Sequence, residues 1–121
     1  KKKKMRIDDK EIDEYRLIMF DFDKPELISG HENTLDIVCE NVTNESTVKI
    51  TGYTDLLGPD DYNRELSQQR AEKVKEALPC APKTILTTGE GEAELYDNIT
   101  PEGRFYSRTV EVRVETPVEY E

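Results

Sequence analysis

The chain has 121 residues, which suits one domain with its own hydrophobic core and leaves little room for a second. Its 17 Lys and Arg stand against 27 Asp and Glu, a formal net charge of −10, which argues against a nucleic-acid phosphate backbone as partner. No run approaches the roughly 18 to 20 apolar residues of a membrane span, and the N-terminus has no apolar core of a signal peptide.

The first block of like charge, Lys1 to Lys4, reads as a solvated tail or linker end, so residues 1–14 are expected to precede a single domain at 15–121. Residues 16–22 form an apolar run that reads as a strand, and Pro25 forbids its simple continuation. Leu35, Val38, Cys39 and Val42 fall at i, i+3, i+4 and i+7, which predicts a helix over about 32–42 with Cys39 towards the core. Val48 and Ile50 alternate with Thr47, Lys49 and Thr51, a half-buried strand running into Gly52.

Gly58 and Pro59 then open a second helix, with Asp60 and Asp61 in its first turn at the positive end of the helix dipole. It should run to about Leu78, with Tyr62, Leu66, Val74, Ala77 and Leu78 as its apolar residues and Ser67 and Ala71 as small residues where another element can approach. Pro79 and Pro82 bracket its exit. Residues 84–88 predict a third strand and residues 90–106 a turn-rich connection with a short helical turn near Pro101. The last strand, 108–115, alternates Val110, Val112 and Val114 with Thr109, Glu111, Arg113 and Glu115. The expected fold is therefore α+β, a two-layer sandwich of order β-α-β-α-β-β with helices on one face of a four-stranded mixed sheet.

The chemistry concentrates between Gly52 and Val74. Asp55 follows a strand end, and Arg70 shares a helix stripe with Leu66 and Val74, where an aliphatic residue would be expected. An internal salt bridge between the two is the bland account. The alternative is a site for a small zwitterion, an acid for its ammonium and a guanidinium for its carboxylate, held on two rigid elements.

Other candidates are weaker. Ile18 to Asp23 resembles the nucleophile motif of haloacid-dehalogenase-type phosphatases, with Asp21 and Asp23 around a Mg²⁺, but Pro25 replaces the usual Thr or Val and the chain is short for that fold. His31, the single histidine, is expected in an exposed loop, and no Cys-His pair or zinc set accompanies it. Glu90, Glu92 and Glu94 read as solvated acids. No catalytic residue, metal or cofactor is expected. Cys39 and Cys80 fit either one disulfide or two buried thiols. The N-x-S/T triplets at Asn41, Asn44 and Asn98 are too short to carry an argument.

From Gly52 to Val74 the chain reads GYTDLLGPDDYNRELSQQRAEKV, preceded by FDFDKPEL at Phe20 to Leu27 and followed by TPEGRFYSRTVEV at Thr100 to Val112. These blocks resemble the OmpA C-terminal-like domain, the peptidoglycan-binding module also found in Pal lipoproteins and MotB stator proteins. Its pattern G-H-T-D-x-x-G-x-x-x-Y-N-x-x-L-S-x-x-R-A-x-x-V is matched at every fixed position except Tyr53, which replaces the histidine. Ser107 and Thr109 also depart from the family, while Arg108 is retained.

The resemblance implies non-covalent binding of the diaminopimelate of a peptidoglycan stem peptide, with Asp55 accepting its ammonium, Arg70 gripping its carboxylate, and Phe22 and Leu66 as apolar walls. It implies supporting roles for Thr54, Gly58, Asn63 and Arg108. It further implies a piece of a longer secreted protein, held on the periplasmic side of the outer membrane, which touches a membrane only through other parts. A start at Lys1 without an initiator Met fits that expectation. The rival reading keeps the fold but makes it a docking or oligomerisation module in an envelope complex.

Overall fold

A computed structural model describes residues 2–7, 9–20, 26–54, 60–92 and 109–118. Val110, Val112 and Val114 lie on the middle strand of a five-stranded sheet and are fully buried against the helices. The elements in chain order are β1 (Lys2–Ile7), β2 (Lys10–Ile18), α1 (His31–Cys39), β3 (Thr47–Thr54), α2 (Asp60–Ala77), β4 (Thr84–Glu92) and β5 (Thr109–Pro117). The spatial order is β1-β2-β5-β3-β4, with β3 and β4 parallel and the other neighbours antiparallel. The helix α2 is thus the crossover of a β3-α2-β4 unit. No helix among the described residues is long and apolar enough to cross a membrane.

The expected α+β sandwich is present, with one strand more than the sequence suggested. Residues 1–14, read as a tail, include β1 and the start of β2. The physical reason is cross-strand charge: the register sets Lys4 opposite Asp13 and Arg6 opposite Glu11. Lys4 and Arg6 both reach the Glu11 carboxylate, at 3.9 and 3.6 Å. A basic run that repels itself as a tail is neutralised by the acids of β2.

β2 also lies earlier than the expected strand, ending at Ile18, although Met19 and Phe20 remain buried and Phe20 bridges Leu27. α1 stops at Cys39, and Val42 still packs against the core from outside the helix. His31 is not in a loop but opens α1, where its Nδ1 donates to the Ile28 carbonyl at 2.8 Å. β4 continues past residue 88 to Glu92, because a bulge at Gly89–Gly91 keeps it paired with β3.

The two cysteines form a disulfide that joins the last residue of α1 to the segment leaving α2. It spans 41 positions, and in a chain-entropy account a loop of that size contributes about 4 kcal/mol of stability.

The approach of α2 to the sheet is set by small residues. A methyl group placed on Gly52 would run into the Ser67 carbonyl, and one on Gly89 would meet the Gln68 backbone at 2.5 Å. Ser67 uses the closeness: its hydroxyl donates to the Arg64 carbonyl at 2.7 Å and accepts from the Gly91 N–H at 2.9 Å. Side chain and backbone together fix α2 against β3 and β4, and this positions the residues one turn further along the helix.

Candidate functional site

The buried stripe of α2 consists of Asn63, Leu66, Ser67, Arg70, Ala71 and Val74. Arg70 is the largest of them and only 1% exposed, so the helix delivers a guanidinium into the interior where its spacing calls for an aliphatic side chain. Removing this charge from water is costly unless hydrogen bonds and opposing fields compensate. Among the described residues, two groups contribute to this. Arg70 Nη1 donates to the Tyr53 carbonyl at 3.1 Å, and the guanidinium carbon lies 5.2 Å from the centroid of the Phe20 ring.

These contacts place the guanidinium at the C-terminal end of β3. Along that strand Val48, Ile50, Gly52 and Thr54 are buried on the side facing α2, and Lys49, Thr51 and Tyr53 alternate to the other side. Thr54 therefore shares the buried side with Arg70, one residue past the carbonyl that Arg70 holds.

Tyr53, the departure from the family's histidine, projects away from α2. Its hydroxyl donates to Glu111 Oε2 at 3.4 Å, and Glu111 is itself paired with Arg16 at 3.1 Å. Burial and the Glu111 and Glu90 carboxylates push the phenol up to about 12, so the hydroxyl stays protonated at neutral pH and remains a donor. Tyr53 thus ties the end of β3 to β5 through its side chain while its carbonyl ties it to α2.

Of the residues singled out from sequence, Arg70, Leu66, Thr54 and Asn63 are all buried, the first, second and last on one stripe of α2 and Thr54 at the adjoining strand end. Asp55, Phe22, Gly58 and Arg108 lie outside the described residues. Phe20 was not singled out, yet it carries the aromatic face under Arg70. Its signal was its place in the FDFDK block, two positions before Phe22.

A cleft of about 680 Å³ runs along the opposite, outward face of α2, lined by Arg64, Gln68, Glu72, Lys73 and Gly89 among others. Its helix residues lie on the exposed face, and Arg70 has no part in it.

Comparison with known proteins bears on this geometry. Outer membrane porin F of Pseudomonas fluorescens is 39% identical over 106 residues, covering 81% of this chain and 32% of the porin. The peptidoglycan-binding protein ArfA of Mycobacterium bovis is 36% identical over 103 residues, covering 80% of this chain and 32% of that protein. The chain therefore spans about a third of the length of these relatives.

Among solved structures, the peptidoglycan-associated lipoprotein from Burkholderia pseudomallei superposes with a TM-score of 0.71 at 22% identity, covering 79% of this chain and 86% of that one, a likeness of fold. The family model described as the OmpA family matches residues 19–108, a span that takes in β3, α2, β4 and the guanidinium they position, and by that match the chain belongs to the OmpA family.

Proposed function

We propose that this domain binds peptidoglycan non-covalently, through the diaminopimelate of the stem peptide, and thereby anchors an outer-membrane or periplasmic protein to the cell wall. The observation that carries the reading is the buried guanidinium of Arg70 at the end of β3, where the matched motif reaches Thr54. Peptidoglycan binding is in the name of ArfA and wall association in that of the Burkholderia lipoprotein, and both support the same role here. The Cys39–Cys80 disulfide supports an oxidising compartment such as the periplasm.

The chemistry follows from the residue types. The far end of diaminopimelate carries an ammonium and a carboxylate on one carbon. A guanidinium fork matches the carboxylate with two parallel hydrogen bonds, and Asp55 accepts from the ammonium. A lysine-type stem peptide presents the ammonium alone and offers the guanidinium no carboxylate to engage, so the pair discriminates between the two wall types. Leu66 and Phe22 supply apolar walls for the methylene chain between them.

Calorimetric titration with a diaminopimelate stem peptide and its lysine counterpart, on the wild type and on Asp55→Ala and Arg70→Ala, tests the proposal. Binding of the first peptide alone, lost in both variants, is the expected result. A folded wild type that binds neither peptide overturns it.

A further inference from the structure

Thr54 ends β3 on the buried side, 2% exposed, and its Oγ1 has no hydrogen-bond partner among the described residues. Buried polar atoms are almost always hydrogen-bonded, and one left alone destabilises the fold relative to an apolar isostere. Valine would fill the same volume and suits a strand equally well.

Other buried side-chain atoms share this condition, among them Asp13 Oδ1, Thr109 Oγ1 and Arg113 Nε, the last on the sheet face turned away from α2, and none is at the site. Asp13 Oδ1 lies towards the far end of β2, opposite Val114, and Thr109 Oγ1 is at the near end of the sheet but on the face turned away from α2. Thr54 alone among these adjoins the end of β3 that Arg70 holds, immediately after the carbonyl that accepts from Arg70 Nη1.

We infer that the Thr54 hydroxyl is a ligand-binding and specificity group of the site, donating a hydrogen bond to the same carboxylate that Arg70 engages. The inference rests on the peptidoglycan reading above and deepens it. A carboxylate offers about four lone-pair sites, more than the two parallel bonds of a guanidinium fork use. A guanidinium donates only in its own plane, whereas a hydroxyl rotates and supplies a donor from a different direction. Because the hydroxyl is dehydrated before the ligand arrives, its bond to the anion replaces nothing. That is the condition under which a single hydrogen bond discriminates strongly.

The role differs from the one that the resemblance implies for Thr54, which is a supporting one. A supporting hydroxyl bonds within the fold, and its loss destabilises the fold. A ligand-directed hydroxyl is a burden to the free protein, and its loss weakens binding alone.

The test pairs Thr54→Val with Thr54→Ser, each titrated calorimetrically with the diaminopimelate stem peptide and melted in the absence of ligand. Thr54→Val is expected to bind about tenfold more weakly while melting at or above the wild-type temperature. Thr54→Ser, which keeps the hydroxyl, is expected to retain most of the affinity. Undiminished binding by Thr54→Val, or a melting temperature that falls together with affinity, overturns the inference and leaves the anchoring reading in place. Failure of the wild type itself to bind the peptide overturns both.

Discussion

Arg70 Nη1 donates a 3.1 Å hydrogen bond to the carbonyl of Tyr53, so a side chain of α2 holds the backbone at the last turn of β3. The same guanidinium that is proposed to meet the ligand therefore also fixes the strand end that presents Thr54. Binding and positioning depend on one group, and a variant must be read for both. Arg70→Lys keeps the charge and loses the planar fork. It is expected to weaken binding of the diaminopimelate peptide by about 2 kcal/mol, roughly thirtyfold. Calorimetry on a variant shown to be folded by its melting curve checks this, and wild-type affinity in Arg70→Lys would mean that a point charge suffices.

The disulfide yields a stability prediction independent of the ligand. Cys39 and Cys80 tether the ends of α1 and α2, two elements packed on the same face of the sheet. Reduction, or the double variant Cys39→Ser with Cys80→Ser, is expected to lower unfolding free energy by about 2 to 4 kcal/mol. Urea denaturation with and without reductant measures it. Coincident curves would show that α1 docks without the tether.

Much of the architecture was legible because several elements carry their period openly. The strict alternation of Val110, Val112 and Val114 and the i, i+4 spacing of Leu66, Arg70 and Val74 each specify a face, and those faces are buried. β1 was not legible, because four lysines in a row describe a solvated tail until Glu11, Asp13 and Glu14 are set opposite, and only strand pairing does that. The start of β2 was hidden for a related reason, since Asp13 is buried against the polarity of its side chain. The end of β4 reads as a loop, as Gly89, Glu90 and Gly91 carry turn chemistry. There the positive φ of 71° at Gly91 serves a bulge within the strand. At the site, the burial of Arg70 followed from its stripe, whereas the Phe20 ring beneath it depends on the bridge between Phe20 and Leu27, which no local pattern announces.

Gly52 offers a test of the packing that positions the site. A Cβ at this position collides with the backbone carbonyl of Ser67, which cannot rotate aside as a flexible side chain could. Gly52→Ala is expected to destabilise the domain by about 3 kcal/mol, at the upper end of overpacking costs, because α2 must move away from β3. The displacement also separates Arg70 from the Tyr53 carbonyl, so affinity for the stem peptide is expected to fall with stability. A melting temperature within a degree or so of wild type would show that the helix yields freely.

Acid sensitivity follows from Glu115 and Lys49, whose side chains meet at 2.8 Å across β5 and β3. The hydrogen bond from Lys49 is the main influence holding the Glu115 carboxyl below its ordinary value of 4.5; burial opposes it, and the charges of Lys49, Arg113 and Lys10 reinforce it. A depressed folded-state value means that the folded state binds this proton less readily than the unfolded chain. The pair's contribution is therefore complete above pH 4.5 and is lost as pH falls through the lower folded value. Because Lys49 is half exposed, the contribution is at most about 1 kcal/mol. Glu115→Gln should accordingly melt slightly below wild type at pH 7, with the gap closing as pH drops below 4.5. Thermal melts of the two proteins in parallel across that range provide the measurement, and a gap that is constant with pH would assign the difference to packing of the amide and not to the ion pair.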